Sequence, residues 1–243
     1  MARVGTAPKP QERRSTEFAL SVIRERILSG EIAAGSVVSQ VELAKEIGVS
    51  RTPLREAMRQ LQSEGLLVGE INRRLRVAEV SPEDLDQLYA IRISNEATAL
   101  EAGVKMMSPD QIESAGRCIE RMEGLALSGE LDGIEEPHRE FHRLLIEPAG
   151  ERFASLSDTL WDHTTRYRGI YLRSHDEPLE ILLAAHRDHQ RVLAAVEAGD
   201  GHAAALALAE HYERTAFAVF ESIAPDFQPV LMPAAMGALR SRR

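Results

Sequence analysis

The sequence has one cysteine, Cys118, in 243 residues. No intramolecular disulfide is possible, and nothing in the chain calls for an oxidising compartment. Aromatic residues are scarce at 5%, so any core must be built mostly from Leu, Ile, Val and Ala, which the 44% hydrophobic content can supply. No apolar run approaches the roughly 18–20 residues needed to span a bilayer. The N-terminal stretch is polar and basic, without the apolar h-region of a secretory signal. These absences predict a soluble, cytoplasmic protein with no membrane partner. The length allows one large domain or two modest ones.

The net charge of −9 argues against a polyanion-binding surface over the whole chain, but the charge is uneven. Residues 1–79 carry 13 Lys and Arg against 10 Asp and Glu, a balance of +3, while the remainder carries 16 against 28, a balance of −12. A basic head on an acidic body gives contact with a polyanion to the head alone; ordinary charge scatter is the other reading.

Residues 1–14, with two prolines and no periodicity, predict a disordered arm. Over Glu17 to Ser29, apolar residues fall on a helical stripe. A turn bracketed by Gly30 and Gly35 follows, then a short helix that Ser39 can cap. Gly48-Val49-Ser50 is a tight connection into a third helix, whose first turn tolerates Pro53 because backbone N–H groups there lack intrahelical partners. That helix places Leu54, Ala57, Met58 and Leu61 on one face, and Arg51, Thr52, Arg55 and Arg59 largely on the others. Leu66-Leu67-Val68 and Leu75-Arg76-Val77 flank Asn72-Arg73-Arg74 as a small hairpin. Helix, helix, tight turn, helix and hairpin make a winged helix-turn-helix over residues 15–79.

The remainder predicts helices alone. Ser81-Pro82-Glu83-Asp84 and Ser108-Pro109-Asp110-Gln111 are both helix starts: a cap, a proline at the first position, and an acid in the first turn. Further helices are expected at about 135–146, 151–173, 178–198 and 201–223, with Asp200 capping the last. The fold class is therefore mainly α: an N-terminal winged helix-turn-helix followed by an all-α antiparallel bundle over 80–223. Three prolines predict a flexible tail over 224–243.

A recognition helix enters the major groove with its N-terminal residues toward base edges. Arg51 and Arg55 lie four apart on one face, and arginine pairs bidentately with guanine. Ser50 and Thr52 can bind phosphate together with the helix N-terminus, and Arg73, Arg74 and Arg76 on the hairpin can reach the minor groove or backbone. The bland alternative is a solvated helix with exposed arginines; the tight turn together with the basic wing favours DNA. The run from Gly48 to Met58 (GVSRTPLREAM), with Leu61 and Glu64-Gly65-Leu66, resembles the GntR family of bacterial regulators. The resemblance implies that Arg51 and Arg55 read bases, that Thr52 contacts phosphate or base, and that Asn72, Arg73 and Arg74 form the wing tip. Arg74 stands where the family's wing usually has glycine, and Gln40 where an acidic residue is frequent.

All eight histidines lie beyond residue 137. His138 and His142 are i and i+4 and project from one helix face; His189 and His211 lie on later helices. Imidazole suits zinc and nickel, and such a set can build a site inside a bundle. Spacing alone favours the other reading, surface or core histidines without a metal. His138-Arg139-Glu140-Phe141-His142 is not a metalloprotease motif, which needs Glu directly after the first His.

Three stretches resemble the FadR-type effector domain of the same family: Leu88 to Arg92 with Glu96, Glu140 to Leu145, and His189 to Ala195 with Glu197-Ala198-Gly199-Asp200, leading to His211. The resemblance spans about residues 15–223. Many members hold a divalent metal on one Asp and three His. His142, His189 and His211 match the three histidines, and His138 replaces the Asp. The implied set His138, His142, His189 and His211 would be all imidazole and neutral, suited to zinc or nickel, and would leave the 2+ charge uncompensated for an anionic effector such as a small carboxylate.

Arg92 is placed either to grip that carboxylate or to pair with Glu96. Arg166 and Arg168, with Trp161, Tyr167 and Tyr171, either line the cavity or are core aromatics with solvated arginines. The overall expectation is a homodimeric repressor that reads an imperfect palindrome in double-stranded DNA and responds to ligand. The alternatives are a metal-dependent enzyme on a DNA-binding head, with Glu140 as its base, and a regulator whose helical domain is purely structural.

Overall fold

The structure, a computed structural model, describes residues 10–69, 75–173 and 178–242. The chain divides into two units, residues 1–80 and 81–243.

The first unit contains α1 (Pro10–Leu28), β1 (Val37–Val38), α2 (Gln40–Ile47), α3 (Arg51–Ser63), β2 (Leu67–Gly69) and β3 (Leu75–Val77). The strands form an antiparallel sheet in the order β1-β3-β2, with Val38 opposite Leu75 and Val68 opposite Arg76. The two-residue β1 was not expected from the sequence, being too short to show alternation. The first helix starts at Pro10, so residues 10–14 are helical where an arm was expected; residues 1–9 lie outside the described residues. Asn72, Arg73 and Arg74, the expected wing tip, also lie outside them.

One core unites these elements. Ala19, Ile23 and Ile27 of α1 meet Leu54, Ala57, Met58 and Leu61 of α3, with Leu66, Leu67, Leu75 and Val77 from the sheet region. Burying each large side chain contributes roughly 1.5–3 kcal/mol. The α2–α3 turn works because Gly48 closes α2 in the left-handed region, at φ 76°. A side chain there would meet no neighbour, so the restriction is purely conformational, costing about 1–2 kcal/mol for an L-residue.

The second unit is helical: α4 (Pro82–Arg92), a π-helical turn (Ile93–Ala97), α5 (Thr98–Gly103), α6 (Pro109–Ser128), α7 (Glu135–Ile146), α8 (Glu151–Arg173), α9 (Pro178–Glu197), α10 (Gly201–Ile223) and α11 (Leu231–Arg240). Ser81, Ser108 and Asp200 cap α4, α6 and α10, and Ser108 with Gln111 closes a full capping box. Helix α10 packs on α9 and α5, and α6 on α7 and α9. The α10–α5 approach is close enough to require glycine: a Cβ on Gly201 would stand 2.3 Å from the Glu101 carbonyl oxygen.

The tail corrects the expectation of flexibility. Residues 231–240 form α11, packed on α4 with Met232, Met236 and Leu239 buried. Both carboxylate oxygens of Asp86 on α4 accept the N–H groups of Val230, Leu231 and Met232 at 2.8–2.9 Å. A carboxylate at a helix N-terminus satisfies orphan donors and interacts favourably with the positive end of the helix dipole. Pro233 sits in the first turn, where it breaks no intrahelical bond.

Candidate metal centre and nucleic-acid interface

Helix α3 buries Pro53, Leu54, Ala57, Met58 and Leu61 and thereby turns Ser50, Arg51, Thr52, Arg55 and Arg59 to solvent. Arg51 and Arg55 make no ion pair among the described residues, whereas Arg59 pairs with Glu56 at 2.9 Å. Ser39, Ser81 and Ser108 spend their side chains on capping, but Ser50 makes no such bond. The first turn of α3 thus keeps its N–H groups and the Ser50 hydroxyl available, the arrangement that receives phosphate. Arg76 is held within the sheet by the Gly35 carbonyl, at 3.1 Å.

In the helical unit, α7 carries His138 and His142, α9 carries His189, and α10 carries His211. All four are buried, and each offers one ring nitrogen within 4.8 Å of the others. His138 and His142 present Nε2 atoms 3.1 Å apart. His189 Nε2 is buried with no hydrogen-bond partner, an uncommon condition that ordinarily has a specific cause.

Two of the rings, His142 and His211, are fixed from behind. The Tyr212 hydroxyl donates to Glu96 in a short contact and accepts from Arg92 at 2.8 Å. Its one proton is therefore used, so His142 Nδ1, 2.9 Å away, must be the donor to it. That leaves His142 Nε2 as a lone pair facing the cluster. His211 Nδ1 faces Asp188 at 3.5 Å, which Arg214 also holds, leaving Nε2 free in the same way.

Burial chiefly, with neighbouring positive charge, pushes His138, His142 and His189 well below the ordinary imidazole value. His211 is also lowered by burial, with Asp188 only partly opposing. Neutral imidazoles with converging lone pairs fit a divalent metal, since ligand histidine must be deprotonated and is commonly oriented by a partner on its other nitrogen. His138 converges with the other three.

Arg92 takes the second of its two expected roles, the ion pair with Glu96. It is 2% exposed, with Nε and Nη2 on Glu96 at 2.7 and 3.1 Å, Nη1 on Thr164 at 3.2 Å and Nη2 also on Tyr212. Burial would lower the guanidinium pKa, but Glu96 raises it further still. The π-helical turn accommodates this pair, burying Glu96 completely. Arg92 is thus engaged within the protein and supports His142 through Tyr212, instead of presenting a free clamp.

Trp161 and Tyr167 are buried, and Tyr167 donates to Asp84 at 2.7 Å. Glu140, the base of the enzymatic alternative, is exposed. Tyr212 and Asp188 were missed from the sequence; their adjacency to His211 and His189 was the available signal. Among the described residues, no helix is long and apolar enough to cross a membrane.

Fold and site together define a DNA-binding head joined to a helical effector domain with a histidine cluster at its centre. Comparison with known proteins gives the family. Residues 16–77 match bacterial regulatory proteins of the gntR family, and residues 87–214 match the FCD domain. The protein described as "Probable D-xylose utilization operon transcriptional repressor" of Paenarthrobacter nicotinovorans is 30% identical over 187 residues, covering 76% of this chain and 80% of that one. The HTH-type transcriptional repressor GlaR of Escherichia coli is 28% identical over 197 residues, covering 76% and 89%. The structure of E. coli McbR/YncC shares the fold, with a TM-score of 0.75 at 22% identity over 85% of this chain and 97% of that one. The chain belongs to the GntR family, with an FCD effector domain, and is a ligand-responsive DNA-binding transcription regulator.

Proposed function

We propose that the protein is a homodimeric, cytoplasmic repressor of a metabolic operon, released from an imperfect palindromic operator by a small carboxylate. Ser50, Arg51, Thr52 and Arg55 carry DNA recognition: the arginines read guanine edges and the hydroxyls hold phosphate. Arg59 supports the same face, and Asn72, Arg73 and Arg74 supply the wing. The observation that carries the effector-domain reading is the set of four buried imidazoles with ring nitrogens within 4.8 Å of one another. His138, His142, His189 and His211 would hold zinc or nickel, and the bound ion would supply positive charge that these neutral ligands leave uncompensated for an anionic effector. Effector binding can change operator affinity only to the extent that it favours one state of the protein over the other.

Elemental analysis of untagged protein, beside His142→Ala, tests this. About one zinc or nickel per chain, lost in the variant, is expected. No metal in either, even after reconstitution, would remove the metal and leave the DNA-binding assignment standing.

A further inference from the structure

Glu135 opens α7, one turn before His138. Its Oε1 accepts the Trp161 indole N–H at 2.6 Å and the Thr165 hydroxyl at 2.9 Å, and its Oε2 accepts Arg168. The three donors stand at i, i+4 and i+7 of α8, on one helix face. Together they offer a cation, a buried indole and a hydroxyl to one carboxylate, a complete recognition set for that group. Burial would raise the Glu135 carboxyl, but Arg168 and the hydrogen bonds hold it below its usual range.

This donor set borders the histidine cluster. The Trp161 ring lies 4.9 Å from His138 and 5.1 Å from His142, centroid to centroid. The Arg168 guanidinium stands 5.3 Å from the Trp161 ring, and its charge is felt at His138, His142 and His189. Glu135 is more open than its cationic partner: its side chain is 42% accessible against 15% for Arg168. It can therefore swing into solvent, but the buried Trp161 indole cannot follow. Left without an acceptor, a buried N–H carries a desolvation penalty, which favours any carboxylate that takes the vacated place.

We propose that Arg168, Trp161 and Thr165 form a carboxylate-binding subsite in which Glu135 is the resident, and that an effector carboxylate enters by displacing it. The proposal rests on the reading that the effector is a small carboxylate bound beside the histidine cluster. It adds a route for the signal. Displacement releases the first turn of α7 from α8, and α7 carries His138 and His142. The resident also tunes affinity, since apparent binding is reduced by the fraction of time the subsite is taken.

Acetate and succinate are the probes, added to full-length wild type, E135A and E135Q, each zinc-loaded and metal-stripped, and followed by calorimetry and melting. If Glu135 fills the subsite at least nine-tenths of the time, E135A binds the probes about tenfold or more tightly than wild type. Acetate then restores its melting temperature saturably, and E135A/R168Q abolishes both effects. E135Q keeps an acceptor for Trp161 and Thr165 while losing the attraction to Arg168, so an intermediate gain is expected even if E135A folds poorly. Probes that bind wild type but bind neither variant more tightly would overturn the subsite while leaving a carboxylate effector standing. A gain that survives R168Q would overturn it too. Absence of binding to zinc-loaded wild type and variants alike would sink both readings.

Discussion

The Arg92–Glu96 pair yields the sharpest stability prediction. Its side chains are 3% and 0% exposed, so neither charge can recover hydration if its partner is removed. Glu96→Ala leaves a buried guanidinium with Thr164 and Tyr212 as its remaining partners, at a cost of about 3–5 kcal/mol. For a unit of this size that lowers the melting temperature by about 6–20 °C. Arg92→Met strands the carboxylate and costs a similar amount. The double variant Arg92→Met/Glu96→Ala removes both charges, so its loss should be smaller than the sum of the singles by about 2 kcal/mol or more. Urea unfolding followed by Trp161 fluorescence reads the right unit, because the chain's single tryptophan lies 5.3 Å from the Arg92 guanidinium. Singles that add within about 0.5 kcal/mol, the range for independent sites, would refute the desolvated pair.

Tyr212→Phe removes the acceptor that orients His142; zinc affinity should fall about 10–100-fold by competition with a chelating dye, and unchanged affinity would discard the tautomer argument. Asp86→Ala should cost about 1–2 kcal/mol and raise hydrogen exchange across 231–240; unaltered protection there would mean that Asp86 does not anchor α11. Metal-free protein should lose stability on acidification. The lowered histidines stay neutral when folded while the unfolded chain takes up protons below about pH 6.5, so stability is complete above that value and falls beneath it. The slope is up to about 1.4 kcal/mol per pH unit for each histidine, and equal urea midpoints at pH 7.5 and 5.5 would contradict it. Arg55→Ala should weaken binding to duplexes selected by the wild type by about 1–3 kcal/mol and relax base preference; unchanged binding of both selected and random duplex would remove Arg55 from the interface.

Local signals carried most of the fold. The Ser-Pro starts, the Asp200 cap and the Gly48 turn are decided within a few residues by which backbone donors need partners and which φ a residue tolerates. The expected helices at 135–146, 151–173 and 201–223 coincide with α7, α8 and α10 because their apolar periodicity is long and uninterrupted. By contrast, α11 was hidden. Its stripe is only Met232, Met236 and Leu239, the tail's three prolines read as breakers, and its cap comes from Asp86 on α4, far away in the chain.

The candidate site divides along the same line. The sequence by itself determined that four histidines share a helical domain and that two of them share a helix face, because i,i+4 spacing is a property of the helix alone. It left Arg92 between two roles and Arg168 unassigned. Only the tertiary structure decided these, since each depends on what a third helix brings near: Tyr212 and Thr164 bind Arg92 inward, and Glu135 of α7 meets Arg168 of α8. Whether a charge is free for a ligand is set by burial and by partners distant in the chain, and no local pattern records either.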